Sequence, residues 1–167
     1  MVNQSFKFLR RWLLVSTYFY EFNIGKIGIT ESNERITNLY FSGDKLPVDI
    51  QIYETPVLKE AARQLTSYLS GELKEFSLLL SPTGTNFMKQ TWASLCEIPY
   101  GKTASYKEIA VKIGAPNAAR AVGLANNRNP IPLLIPCHRV IGTDGSLTGY
   151  RGGLELKKRL LDLEKIK

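Results

Sequence analysis

The sequence predicts an α+β fold: a small antiparallel-sheet-and-helix domain over residues 1–81, then a mostly helical domain with a helix-turn-helix over residues 82–167. Three observations carry that expectation. Aromatic and β-branched residues crowd three short runs near the N-terminus, helical spacing takes over from Pro56, and Ser81-Pro82-Thr83-Gly84 punctuates the chain between two differently charged parts. With 167 residues, 44% of them hydrophobic, the chain can bury a core, and its spread of aromatic and branched residues excludes disorder as the main state.

The elements follow in order. Lys7, Arg10 and Arg11 before Trp12-Leu13-Leu14-Val15 imitate the start of a signal peptide. The run continues through three aromatics to Glu21 without a small-residue cleavage site, so it reads as a strand or packing arm. No stretch approaches the length of a membrane span, and the chain is expected to be soluble and cytoplasmic. Thr17–Phe22, Lys26–Glu31 and Ile36–Phe41 read as an antiparallel meander, with turns at Ile24-Gly25 and at Glu31-Ser32-Asn33-Glu34. A polar loop from Ser42 to Pro47 follows. Pro56 opens a helix whose apolar residues Val57, Ala61, Leu65 and Leu69 recur every four positions. Phe87, Met88, Trp92 and Leu95 mark the face of a second helix, terminated by Pro99.

Tyr106, Ile109, Ala110 and Ile113 have amphipathic helical spacing, and Ala118, Ala121, Val122 and Ala125 repeat it after the break Gly114-Ala115-Pro116-Asn117. Two short helices around such a turn are a helix-turn-helix candidate. Charge supports the idea: residues 1–100 are neutral, with 10 Lys/Arg against 10 Asp/Glu, while residues 101–167 hold 12 against 5 and carry the whole net charge of +7. A basic segment beside a neutral one suits a polyanion, nucleic acid first and an anionic membrane second; a merely solvated surface is the alternative. With the alanine stripe inward, the second helix presents Arg120, Gly123, Leu124 and Asn127. An exposed mid-helix glycine costs about 1 kcal/mol against alanine, which a backbone lying close to another surface would explain. Packing on the other domain would explain it too.

Two cysteines cannot make a disulfide scaffold, and with one histidine they leave too few ligands for a structural zinc site, so no metal is expected. The sole histidine, His138, adjoins Cys137 after the proline-stiffened run Asn129–Pro136. A thiol must lose its proton to be a good nucleophile, and a neighbouring imidazole can take it. In a regular strand the two side chains would point apart, so a working pair needs a local turn or a bridging water. Alone, the dipeptide reads more readily as a core thiol beside an unrelated imidazole.

Pro136-Cys137-His138-Arg139-Val140 resembles the active-site signature of the O6-alkylguanine-DNA alkyltransferase family, the methylated-DNA–protein-cysteine methyltransferases, in their compact bacterial type. The resemblance extends over residues 84–164: Gly84-Thr85, Phe87, Trp92, Ile98-Pro99-Tyr100-Gly101, Ser105-Tyr106, Ala118–Gly123, Arg128-Asn129-Pro130, Gly149–Leu154, Lys157, Leu160-Leu161 and Glu164. It implies a ribonuclease H-like N-terminal domain and a winged-helix-like C-terminal one. It also implies single-turnover transfer of an alkyl group from O6 of guanine, and from O4 of thymine, to Cys137 without a cofactor.

By resemblance Cys137 is the nucleophile, His138 its base through a water, Glu164 the group orienting His138, and Asn129 the hinge bonded to backbone around Cys137. Arg120 fills the space left by a base flipped from the minor groove, and Tyr106 rotates the target phosphate. Ala119, Gly123, Ser105 and Arg128 complete the DNA contacts. Tyr106, Pro132, Val140, Tyr150 and Arg151 line the pocket, with the Cys137 and Val140 carbonyls reading the guanine amino group. Glu164 also stands out on sequence alone, as an anion near a helix C-terminus; its alternative is pairing with Lys157 or Lys165. Arg151 stands where some relatives carry serine, and Cys96 reads as a buried structural thiol. The expected partner is double-stranded DNA carrying alkylated bases, met by a monomer. The rival reading is an alkylated-DNA sensor that repairs nothing.

Overall fold

The computed structural model describes residues 15–165; the arm expected around Lys7, Arg10, Arg11 and Trp12–Leu14 lies outside them. Three strands, β1 (Val15–Phe22), β2 (Gly25–Ser32) and β3 (Arg35–Tyr40), form an antiparallel meander in the order β1-β2-β3. Each reversal is a two-residue turn. Asn33 and Glu34 both have positive φ, 52° and 61°, the backbone that a tight hairpin with right-handed strand twist requires. Ile27 and Ile29 share one face of β2, and a bulge in the β2–β3 pairing at Thr30/Glu31 lets Ile36 and Leu39, three residues apart, join them, so four fully buried side chains meet in the core.

Helix α1 (Pro56–Leu69) covers that face; Thr55 caps it by accepting from Leu58 N at 3.3 Å, and Pro56 takes the first turn, where its missing N–H costs nothing. Its buried stripe is Leu58, Ala61, Leu65 and Tyr68, whereas the expected Val57 is only partly buried. The reason is geometric: steps of four residues advance about 40° too far each time, so a strict four-residue series drifts off one face. The corrected stripe turns Tyr68 into the core.

After Ser81, whose N–H bonds to Ile36 O at 2.8 Å on the edge of β3, the chain becomes helical. Helix α2 (Asn86–Cys96) is capped by Thr85 and stops before Ile98-Pro99. Its Trp92 is buried and donates Nε1–H to Ala125 O at 2.8 Å. Cys96 is exposed, not buried as expected, because the helix end turns it outward. The short strand β4 (Ala104–Ser105) leads into α3 (Tyr106–Lys112) through a capping box: Ser105 Oγ accepts from Glu108 N, and Glu108 accepts from Ser105 N. After a turn with Gly114 at φ 74°, α4 (Ala119–Asn127) packs on α2 and α3, completing the helix-turn-helix. Its inward residues are Val122, Ala125 and Asn126; Ala121, expected inward, is exposed.

Residues 131–140 are all buried and end in a single 3-10 turn, Cys137–Arg139, followed by β5 (Val140–Ile141), which pairs in parallel with β4. Helix α5 (Leu154–Lys165) closes against that turn. One contiguous apolar cluster runs from Ile27 on the sheet through Leu65 and Trp92 to Val140 and Leu160, so sheet and helices share a core. Leu39 N to Pro130 O at 2.8 Å and Arg159 Nη1 to Asn23 O at 3.0 Å stitch the two parts further. Among the described residues no helix is long and apolar enough to cross a membrane.

Candidate active site

The approach to Cys137 is a rigid loop. Asn129 spans it, donating Nδ2–H to Ile135 O and accepting from Ile131 N, both at 2.9 Å. Leu133 sits inside that loop at φ 73°, a strained conformation for a residue with a branched side chain. Cys137 N then donates to Ile135 O at 2.8 Å, and the 3-10 turn begins. The turn resolves the strand objection, since neighbouring residues in it no longer face opposite ways. From α4, Asn126 Nδ2 donates to Cys137 O at 3.2 Å.

His138 is fully buried. Its Nε2 lies 2.8 Å from Glu164 Oε1 and 3.1 Å from the Tyr68 hydroxyl, while Nδ1 has no hydrogen-bond partner among the described residues. Glu164 is the hub. Oε1 receives the Tyr68 hydroxyl at 2.6 Å and Arg139 Nη2 at 2.9 Å; Oε2 receives Arg139 Nε at 2.9 Å and Gly101 N at 3.2 Å. Gly101 is required there: its φ is 74°, and a Cβ would stand 2.9 Å from Glu164 O.

Burial alone would raise the Glu164 carboxyl, but bonds from His138, Arg139 and Tyr68 overcome it and hold the group at about 2. An ionised carboxylate only accepts, so His138 carries its proton on Nε2 and leaves Nδ1 as the basic lone pair. Burial pulls His138 below its ordinary value, against the opposing pull of Glu164. Burial pushes the Cys137 thiol up to about 11, opposed by an Asn129 hydrogen bond and the charges of Lys157 and Arg151. The resting pair is therefore a neutral thiol beside a neutral imidazole.

Lys157 is buried, with Nζ 2.5 Å from Val140 O and 2.7 Å from Thr148 O, and burial lowers it to about 8. The alternative pairings of Glu164 do not occur: Lys157 holds those carbonyls, and Lys165 faces Asp162 at 3.8 Å. The Tyr106 hydroxyl donates to Thr148 O at 3.2 Å, and Tyr106 also borders Gly123. Tyr150 is buried edge-on to His138, ring centroids 6.4 Å apart, with its hydroxyl unpartnered among the described residues. Pro132 and Val140 are buried beside them. Arg151 reaches away to the sheet, bonding to Leu39 O and Asn129 O and pairing with Asp44 at 3.3 Å. Both carbonyls expected to read guanine already accept here, Cys137 O from Asn126 and Val140 N, and Val140 O from Lys157.

The structure thus brings Cys137, His138, Glu164, Asn129, Val140 and Tyr150 into one buried cluster, with Tyr106 at its margin. Arg120 and Arg128 are exposed on α4 and its C-terminal cap, Ala119 and Gly123 are half-buried, and Ser105 is buried in its helix cap. Sequence reasoning missed Tyr68, Arg139 and Asn126 as partners of the site. For Tyr68 a signal existed: the spacing 58, 61, 65, 68 buries a hydroxyl that must then find a partner. Among the described residues no group of three or more His, Cys, Asp or Glu side chains is arranged to hold a metal.

Both parts of the chain resemble known proteins. Residues 15–82 match the family model described as 6-O-methylguanine DNA methyltransferase, ribonuclease-like domain, and residues 86–166 match its DNA binding domain. The chain is 54% identical over 144 residues to the methylated-DNA–protein-cysteine methyltransferase of Methanosarcina barkeri, covering 84% of this chain and 91% of that one. It is 45% identical over 150 residues to the constitutive enzyme of Bacillus subtilis, covering 86% and 91%. The crystal structure of Mycobacterium tuberculosis OGT in complex with DNA superimposes with a TM-score of 0.85 at 44% identity, covering 90% of this chain and 92% of that one. With both domain models matched in order and such identity over most of its length, the chain belongs to the 6-O-methylguanine DNA methyltransferase family.

Proposed function

We propose that this protein repairs DNA by direct reversal, moving the alkyl group of O6-alkylguanine, and of O4-alkylthymine, onto Cys137 in a single turnover. The observation that carries the reading is the buried cluster in which Glu164 ties His138 Nε2 and leaves Nδ1 free, one residue from the only buried cysteine among the described residues. At pH 7 a thiol near 11 is ionised in roughly one molecule in ten thousand, so it needs a base at hand. His138 Nδ1 takes the thiol proton through a bridging water. The sulfur attacks the alkyl carbon, forming the S–C bond as the C–O6 bond breaks and its electron pair returns to the guanine. The proton then passes to the base, so thiol and O6-alkylguanine become thioether and guanine. A thioether has no leaving group for regeneration, so the reaction stops at one equivalent.

The partner is duplex DNA. The target must leave the stack to reach a buried sulfur, an unpairing cost of a few kcal/mol that is lowest at a damaged base. We assign Arg120, exposed on α4, to the vacated space, and Tyr106 to the flipped nucleotide and its phosphate. Arg128, Ala119, Gly123 and Ser105 border the same face. Pro132, Val140 and Tyr150 frame the pocket, with Arg151 at its edge through its backbone while its side chain holds the sheet, and the division at residues 81 and 82 separates a supporting domain from a DNA-binding one. The protein acts as a monomer in this reading.

Incubating the protein with a duplex containing one O6-methylguanine and counting guanine restored per chain tests it. Restoration should plateau at one equivalent. Continued turnover, or binding without restoration, would contradict it.

A further inference from the structure

The strand-rich part has so far no chemical task, yet it inserts one polar group into the site. Tyr68 lies on α1, 70 positions before His138, and is fully buried. Phe76 packs on its ring at 5.1 Å, and Tyr100 meets it edge-on at 6.2 Å and 89°. A phenylalanine would fill that space equally well. A hydroxyl buried there without partners would instead cost several kcal/mol, so its bonds need explaining.

Those bonds close a triangle: the Tyr68 oxygen is 2.6 Å from Glu164 Oε1 and 3.1 Å from His138 Nε2, and Nε2 is 2.8 Å from the same Oε1. A carboxylate cannot donate, so the tyrosine proton goes to Glu164. The tyrosine lone pair then faces Nε2–H, which shares its proton between two acceptors. We propose that Tyr68 is a positioning residue of the alkyl-transfer site, through which the strand-rich part fixes the His138 tautomer and stabilises the imidazolium formed when Cys137 gives up its proton. The inference rests on the alkyl-transfer reading above.

Arg139 already gives Glu164 three hydrogen bonds, so losing the tyrosine donor changes the carboxylate little. Losing the tyrosine acceptor removes one of two partners of Nε2–H. The imidazolium is then less favoured, and His138 is a weaker base. The other groups around the ring stay in place: Glu164 and Lys157 on α5, Arg139 and Cys137 in the turn, and Tyr150 in a flanking loop, with Tyr100 behind the Tyr68 ring.

Because His138 is the sole histidine, its ring nitrogens give the only imidazole signals in an NMR spectrum of the full chain. In the wild type these should report the Nε2–H tautomer. In Tyr68→Phe the protonation midpoint should fall, by about one pH unit for one hydrogen bond to a charged group. The rate of methyl transfer from a duplex bearing one O6-methylguanine should fall about tenfold near pH 7. That gap should narrow as pH rises and Cys137 ionises without help, while DNA affinity stays unchanged. An unaltered His138 titration in a folded variant, with an unchanged rate or a loss equal at every pH, would overturn the proposal. If Tyr68→Phe does not fold, Tyr68→Met gives a second hydroxyl-free core, read in the same spectrum against the same outcomes. Failure of the wild type itself to transfer would refute the alkyl-transfer reading, and this inference with it.

Discussion

Glu164 accepts from four residues, Tyr68, Gly101, His138 and Arg139, in a volume closed to solvent. Its folded-state value of about 2 lies below the ordinary carboxylate range, so the stability it contributes is present above about pH 4.5 and is lost as pH falls toward 2. His138, pulled down by burial, acts in the same direction: it resists protonation in the folded state and weakens the fold as pH drops below its ordinary 6.5. Glu164→Gln also strands the buried Arg139 charge, a loss of about 3 kcal/mol at neutral pH. In denaturant melts the deficit of that variant against the wild type should shrink between pH 5 and pH 3. Cys137, His138 and Glu164, which the structure gathers into one buried cluster, were legible as candidates because their types are rare in this chain or misplaced for their element. Arg139 and Tyr68 were not, because a buried cation and a core aromatic reveal their partners only once distant segments meet.

At the scale of elements, the meander, the helices and the helix-turn-helix were readable from spacing and turn residues, while the rotation of individual helices was not. In α1 a strict four-residue step pointed to Val57 instead of Leu58 and Tyr68. In α4 an alanine-only stripe pointed to Ala121, whereas Val122, Ala125 and Asn126 face inward. Alanine is small enough to sit on either side, so it defines a face poorly. Gly123 was expected to serve a close approach. Within the chain a Cβ there would meet only the Tyr106 ring, at an ordinary 3.7 Å. Gly123→Ala should therefore stabilise the folded protein by up to about 1 kcal/mol, seen as a higher melting temperature, while weakening DNA binding. A fall in melting temperature would mean the glycine serves the fold instead. Ser105→Ala, which removes a helix cap, should cost about 1 kcal/mol.

For the molecule as a whole, the charge excess of residues 101–167 sets the dependence on salt. The affinity for DNA should fall steeply with salt concentration, and Arg128→Ala should flatten the log–log slope by about 1 on damaged and undamaged duplexes alike. Arg120→Ala should instead slow transfer more than it weakens binding to undamaged DNA. One core joins the sheet to the helices, and Tyr68 carries that continuity into the site. Cys137 as the alkyl acceptor is read most simply by intact-protein and peptide mass spectrometry after incubation with a duplex containing one O6-methylguanine. One added methyl on the Cys137 peptide, saturating at one per chain and absent from Cys137→Ser, is the expected result. An unchanged mass in a protein that holds the lesion tightly would contradict it and leave a sensor of alkylated DNA in its place.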